Sequence, residues 1–215
     1  MDMQQWCIEQ HRKTNHMYDT YLPYEIHLRM VNEVAKEFKH LLDDTVDYFT
    51  GEPFRGPRQD QVTLRTACLR ATWGHDLIED CRVSYNDVMN KLGQEAADII
   101  YAVTNEKGKN RHERANKKYY EGIYETPGGV FVKLCDRIAN VQYSKMTKSR
   151  MYEMYKKEHS DFEYLLYSNG HYTQPMWDYL NNLFNDCGSV LLKISAPWLP
   201  PIISKVKSKL SSFLK

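Results

Sequence analysis

The sequence predicts an all-α protein: one helical domain over residues 1–185, followed by a C-terminal amphipathic helical tail over 186–215. Three observations carry this. Apolar residues recur at three- and four-residue steps through most of the chain. No stretch sustains the strict alternation of a strand. Clusters of Gly, Pro and Asn fall between the periodic stretches rather than inside them.

Taken in order, residues 3–16 read as a first helix with Trp6, Cys7 and His11 on a shared side, and a turn follows at 19–23. A second helix over 24–38 carries Ile26, Met30, Val31, Val34 and Phe38 as its apolar stripe, with His27 beside it near the start. Residues 51–60 hold two Gly, two Pro and two Arg, a loop composition. A helix over 64–80 brings Ala67, Leu69, Ala71 and Trp73 into Gly74-His75-Asp76-Leu77-Ile78-Glu79-Asp80. Ser84 with Asp87 three residues on reads as the N-terminal cap of a short helix that Gly93 ends. Another helix spans 94–103, and 104–114 is polar and mostly basic: an exposed loop, or an edge that contacts phosphate. After Thr126-Pro127-Gly128-Gly129, an apolar segment resumes over 130–141. Residues 148–184 read as two helices divided near Asn169-Gly170. Pro197, Pro200 and Pro201 then precede the tail, where Ile203, Val206, Leu210, Phe213 and Leu214 share a stripe largely apart from Lys205, Lys207 and Lys209. Such a tail packs on its own domain, or lies as a basic amphipathic helix on a membrane surface or a partner.

Composition narrows the class. The formal net charge of +1 argues against a global polyanion-binding surface, and so against a nucleic-acid partner. Five scattered cysteines form no Cys-x-x-Cys pair, which fits neither a disulfide framework nor a structural zinc pattern and points to a reducing cytoplasm. The N-terminus lacks the features of a signal peptide, and no apolar run is long enough to span a bilayer.

The chemistry concentrates at 75–80. Three acids and an imidazole lie within six residues, next to an apolar run. A solvated helix end would tolerate that, but like charges so close repel unless one is protonated or a cation sits among them. A divalent metal bound by imidazole nitrogen and carboxylate oxygen is the sharper reading. Asp136 lies among Val132, Leu134, Cys135, Ile138 and Ala139, where a carboxylate needs a partner: Arg137 or a metal. Asn140 follows one turn later, on the same side.

The ordered set His27 … His75-Asp76 … Asp136 resembles the HD-domain metal-dependent phosphohydrolases. More narrowly it is similar to the RelA/SpoT-type hydrolases of guanosine tetra- and pentaphosphate (ppGpp) and their small stand-alone members, over about residues 3–165. Pro23-Tyr24-Glu25-Ile26-His27 resembles the Pro-Tyr-x-x-His stretch of that family. His75-Asp76-Leu77-Ile78-Glu79-Asp80 matches His-Asp-x-x-Glu-Asp. Lys133-Leu134-Cys135-Asp136-Arg137-Ile138-Ala139-Asn140 matches Lys-Leu-Ala-Asp-[Arg/Lys]-x-x-Asn, with Cys135 in place of Ala. Val103-Thr104 and the polar segment after it fit the linker between the last two motifs. Where family members carry Arg-Lys-x-Gly, this chain has Tyr18-Asp19-Thr20-Tyr21.

The resemblance implies an HD-domain helical bundle holding one divalent ion, Mn²⁺, on His27, His75, Asp76 and Asp136. Glu79 and Asp80 would orient or deprotonate the attacking water. Asn140, Tyr18, Lys133, Lys109, Arg111 and Arg114 would contact substrate. The implied activity is removal of the 3′-pyrophosphate from ppGpp, a reaction of the stringent response, and with no synthetase or regulatory domain following, degradation alone. The Tyr18–Tyr21 stretch leaves open an HD phosphatase for another nucleotide, such as a phosphorylated dinucleotide cofactor or a deoxynucleotide. A non-catalytic nucleotide-sensing module is the third reading.

Overall fold

Helix ends are set by local chemistry and helix order by apolar stripes that must be covered. In the computed structural model, residues 1–42, 62–105, 108–168 and 171–185 are described. Among these residues there is no named strand, only an isolated bridge between Met17 and Pro23. Helix α1 (Met3–Lys13) is capped by Asp2, whose side chain accepts from the Gln5 N–H. It ends three residues earlier than the sequence reading, because Asn15 takes a positive φ of 52°. Helix α2 (Glu25–Phe38) buries the expected stripe together with His27 and Asn32.

The reading of one continuous helix over 64–80 needs correction. Helix α3 (Leu64–Gly74) stops before the His-Asp pair, and α4 (Leu77–Asp80) is a separate turn. Asp76 sits at φ −108°, ψ 5°, outside the helical region. The Thr72 carbonyl, which a continuous helix would give to the Asp76 N–H, accepts from the His75 ring nitrogen. The break has a use. Successive residues on a regular helix diverge by about 100°, so His75 and Asp76 converge on one point only because the helix is interrupted between them.

Downstream, α5 (Tyr85–Leu92) opens with the expected Ser84–Asp87 capping box and closes at Gly93, φ 96°. Next come α6 (Gln94–Val103), the single turn α7 (Arg111–Arg114) and α8 (Lys117–Glu125), which Asn116 caps. The sequence reading assigned nothing to α8. The chain continues as α9 (Gly129–Thr147), α10 (Met151–Leu166) and α11 (Gln174–Phe184). The expected loop at 51–60, the division at Asn169-Gly170 and the tail at 186–215 lie outside the described residues. No described helix is long and apolar enough to cross a membrane.

Helix α9 is the axis of the bundle: α2, α3, α6, α8, α10 and α11 all pack on it. Phe131, Leu134 and Ile138 of α9 are fully buried, as are Leu28 of α2 and Ile99 and Ile100 of α6. A buried hydrogen bond from Asn32 Nδ2 to Thr72 Oγ1, 3.0 Å, locks α2 to α3. That fixes the spacing between His27 and His75.

Two glycines give opposite expectations. A Cβ on Gly129 would lie 2.3 Å from the Ile123 carbonyl oxygen, so α8 and α9 could not keep their approach. Around Gly122, in mid-α8, nothing lies within 4 Å of such a Cβ. Gly129→Ala is therefore expected to destabilise the protein by about 1–3 kcal/mol through overpacking. Gly122→Ala should stabilise it by about 0.4–1 kcal/mol by restricting the unfolded chain. Equilibrium denaturant titrations of the two variants read both signs.

Candidate metal centre

Three helices deliver four ligand groups to one point. His27 comes from the first turn of α2, His75 and Asp76 from the break after α3, and Asp136 from the middle of α9. His27 Nε2 faces His75 Nε2 at 3.1 Å. Asp136 Oδ1 lies 3.3 Å from His27 Nε2 and 3.8 Å from His75 Nε2. Asp76 Oδ2 lies 2.9 Å from His75 Nε2 and 3.8 Å from His27 Nε2. Ligand atoms on a common ion at bond lengths of about 2.1 Å are separated by roughly 3.0 Å across an octahedral edge and roughly 3.4 Å across a tetrahedral one. The spacing found here fits such an ion. The ligand atoms of His27, His75 and Asp136 all lie within 4.8 Å of one another. Asp76 completes the set through its contacts with both imidazoles.

The surrounding hydrogen bonds orient these groups. A carbonyl can only accept, so Thr72 O at 3.0 Å fixes the proton of His75 on Nδ1 and leaves Nε2 to face the cluster. The Tyr24 hydroxyl donates to Asp76 Oδ2. Lys133 Nζ donates to Asp136 Oδ2 at 3.1 Å and Asn140 Nδ2 donates to Asp136 Oδ1. The Tyr18 hydroxyl in turn donates to Asn140 Oδ1, 2.9 Å away, and its ring stacks on His27 with centroids 4.7 Å apart. Arg137, one expected partner of Asp136, turns the other way. It pairs with Glu158 at 3.3 Å and lies over the rings of Tyr155 and Phe162. Helical geometry decides this: Lys133 and Asn140 are three and four residues from Asp136 and share its face, while Arg137 is one residue away and does not.

Burial alone would raise the acids and lower the bases, yet mutual charge overrides it. Asp136 is held well below the usual carboxylate range by Lys133 and the two imidazoles. Asp76 is held below it by His75. His75 is pushed up to about 9, because Asp76 and Asp136 outweigh its desolvation. Without a cation the cluster thus keeps a proton on His75 between the two carboxylates. A divalent ion held by the four groups would take the place of that proton.

His27, Asp76 and Asp136 line the floor of a cleft of about 730 Å³, with His75 buried behind them. Glu79 and Asp80 line it, as do Tyr18, Lys133, Asn140 and Arg114. Asn105 Nδ2 donates to both Glu79 oxygens at 2.9 and 2.8 Å, and Arg114 Nη1 lies 3.8 Å from Oε1. Asp80 is raised to about 7 by burial first, then by the charges of Asp76 and Glu79. Among the described basic side chains of 104–114, Arg114 is on the cleft wall. Lys109 is exposed and does not line it, its backbone N–H being held by Glu113 at 2.8 Å. The Arg111 side chain lies outside the described residues. Cys135 is buried in the core and away from the cleft.

Sequence reasoning missed several groups. Tyr24 was quoted only as part of a motif, though its spacing of three residues from His27 already put it on the ligand face. Asn105 stood out only as part of the polar segment 104–114, and Tyr120, Tyr155, Glu158, Asp161 and Tyr164 carried no signal, since helix packing alone brings them to the cleft.

No protein-family model matches the chain, and no curated protein matches it. The residues at the centre therefore have to be interpreted from their own geometry.

Metal uptake should release a proton. With His75 raised to about 9 in the ion-free protein, the ion displaces the Nε2 proton at any lower pH. Apparent affinity is then expected to rise by about tenfold per pH unit between about pH 6 and 8, the slope of a one-proton exchange. Calorimetry in buffers of different ionisation enthalpy gives the proton count directly.

Proposed function

We propose that this chain is a metal-dependent phosphohydrolase of nucleotides, with the 3′-pyrophosphate of ppGpp as the leading substrate. The observation that carries the reading is the meeting of two imidazoles and two carboxylates, from three separate helices, at the floor of a cleft rimmed by Glu79 and Asp80. His27, His75, Asp76 and Asp136 would hold the ion, and the resemblance to the RelA/SpoT-type hydrolases suggests Mn²⁺. A divalent ion held there supplies Lewis acidity toward a phosphate oxygen and a water acidified from about 16 towards neutrality.

The chain's own groups do the rest. Asp80, titrating near neutrality, can accept a proton from the attacking water and return one to the leaving oxygen. Glu79, clamped by Asn105, is the orienting acceptor beside it. Lys133 and Arg114 offer positive charge to the departing pyrophosphate. Tyr18 and Asn140 hold Asp136 and His27 in place and present their cleft-facing edges to the nucleoside.

A second reading for the same chemistry is another nucleotide substrate. It is favoured by Tyr18-Asp19-Thr20-Tyr21, which lacks the paired basic residues of the ppGpp hydrolases. The Asp19 carboxylate accepts instead from the Tyr143 hydroxyl.

A panel of nucleotides offered to the manganese-loaded full chain tests the proposal, with pyrophosphate and orthophosphate release read separately. Pyrophosphate from ppGpp supports the leading substrate, and orthophosphate from another nucleotide supports the second. No release from any of them, with metal bound, removes the hydrolase proposal. Asp76→Ala should lose the metal, whereas Glu79→Gln should keep it and lose about 10²–10⁴-fold in turnover. Full activity in Glu79→Gln would show that its assigned role is wrong.

A further inference from the structure

Beside the first cluster lies a second, built from different residues and different chemistry. His11 comes from the last turn of α1, His16 from the loop after it and Cys81 from the end of α4. His11 Nδ1 lies 3.0 Å from His16 Nδ1 and 3.1 Å from Cys81 Sγ. One nitrogen, with one lone pair or one proton, thus faces two partners at once. Neither tautomer of His11 resolves this. If Nδ1 accepts, the proton sits on Nε2, which is buried and has no hydrogen-bond partner among the described residues. If Nδ1 donates, its single proton is divided between His16 and Cys81, and the Nε2 lone pair is the buried orphan. A cation between the three facing atoms takes up both Nδ1 lone pairs and the sulfur at once, which one proton cannot do, and they lie close enough for one ion to bridge; the His11 Nε2 proton stays without a partner either way.

We propose that His11, His16 and Cys81 form a second metal site, selective for a borderline-soft divalent ion of the zinc class. Two imidazoles and a thiolate suit such an ion, whereas the two-imidazole, two-carboxylate set of the first site is harder and oxygen-richer. On binding, the Cys81 thiol becomes a thiolate and its proton leaves to solvent. The ion has a way in: His16 and Asp80 line the open cleft, and Asp80 Oδ2 lies 3.8 Å from His16 Nδ1, beside the fourth position. The Tyr24 ring stacks on both His11 and His16, with centroids 4.4 and 3.9 Å away, while its hydroxyl holds Asp76. The two sites thus share a wall but no ligand.

The site has its own optical reporter. The full chain, stripped of metal, is titrated with Co²⁺, whose thiolate charge-transfer band in the near ultraviolet reads Cys81 and not the first site. The band is expected in the wild type and in Asp76→Ala, so it survives even where the first site, and the hydrolase reading with it, fails. Cys81→Ser should abolish the band and lower the bound zinc from two equivalents to one. His16→Gln, a change at a partly exposed residue that leaves the core untouched, should weaken zinc by more than the roughly 10–100-fold that loss of an outer-shell partner costs. A wild-type protein with no thiolate band, or a band that persists in Cys81→Ser, overturns the proposal, as does unchanged zinc affinity in His16→Gln.

Discussion

The structure depends on a charge problem solved in one place. Two imidazole nitrogens face each other at 3.1 Å and two carboxylates close over them, with His27 and His75 almost fully buried. Desolvated groups of this kind are costly unless each is compensated. Lys133 compensates the outward oxygen of Asp136, Asn140 and Tyr24 donate to the inward oxygens of Asp136 and Asp76, and Thr72 compensates the outward nitrogen of His75. The two inward Nε2 atoms have only one another, the inward oxygens and whatever positive charge sits among them. A proton on His75 suffices in the absence of metal. A divalent ion would satisfy both nitrogens and both oxygens at once.

That arrangement explains why the bundle is built around α2, α3 and α9. These three helices pack mutually and each contributes ligands, so the precision of the site is the precision of the core. The Asn32–Thr72 hydrogen bond is the clearest case, because Thr72 ties α2 through its hydroxyl and orients His75 through its carbonyl. A polar pair in an otherwise apolar helix contact sets a register that Leu or Ile would leave free to slide.

Much of the fold was legible in the sequence because apolar period and caps are local. The stripe of α2, the Ser84–Asp87 box and the stop at Gly93 all follow from residues a few positions apart. Three features were not legible. The break between His75 and Asp76 arises from a ring bonding back to a carbonyl, in a stretch whose apolar spacing reads as unbroken helix. For Asp136 the sequence offered Arg137 or a metal as partner, and the direction of Arg137 towards Glu158, with Lys133 and Asn140 on the carboxylate, shows only in the packed helices. The meeting of His11, His16 and Cys81 was invisible for a third reason. It joins α1 to the end of α4 across 70 residues with no spacing rule to announce it.

The cleft also constrains the order in which anything anionic can bind. Its described walls carry six carboxylates, on Asp76, Glu79, Asp80, Asp136, Glu158 and Asp161, against three cations, on Arg114, Lys133 and Arg137. Each of those cations already has an acidic neighbour: Glu79, Asp136 and Glu158 respectively. A phosphate approaching such a surface meets net negative potential, and no free basic patch among the described residues offsets it. Two positive charges placed on the floor by a divalent ion reverse the local field where His27, His75, Asp76 and Asp136 converge. They also release Lys133 from its duty to Asp136. On the proposed function, metal therefore precedes substrate, and the acidic character of the cleft is what makes phosphate binding conditional on the ion.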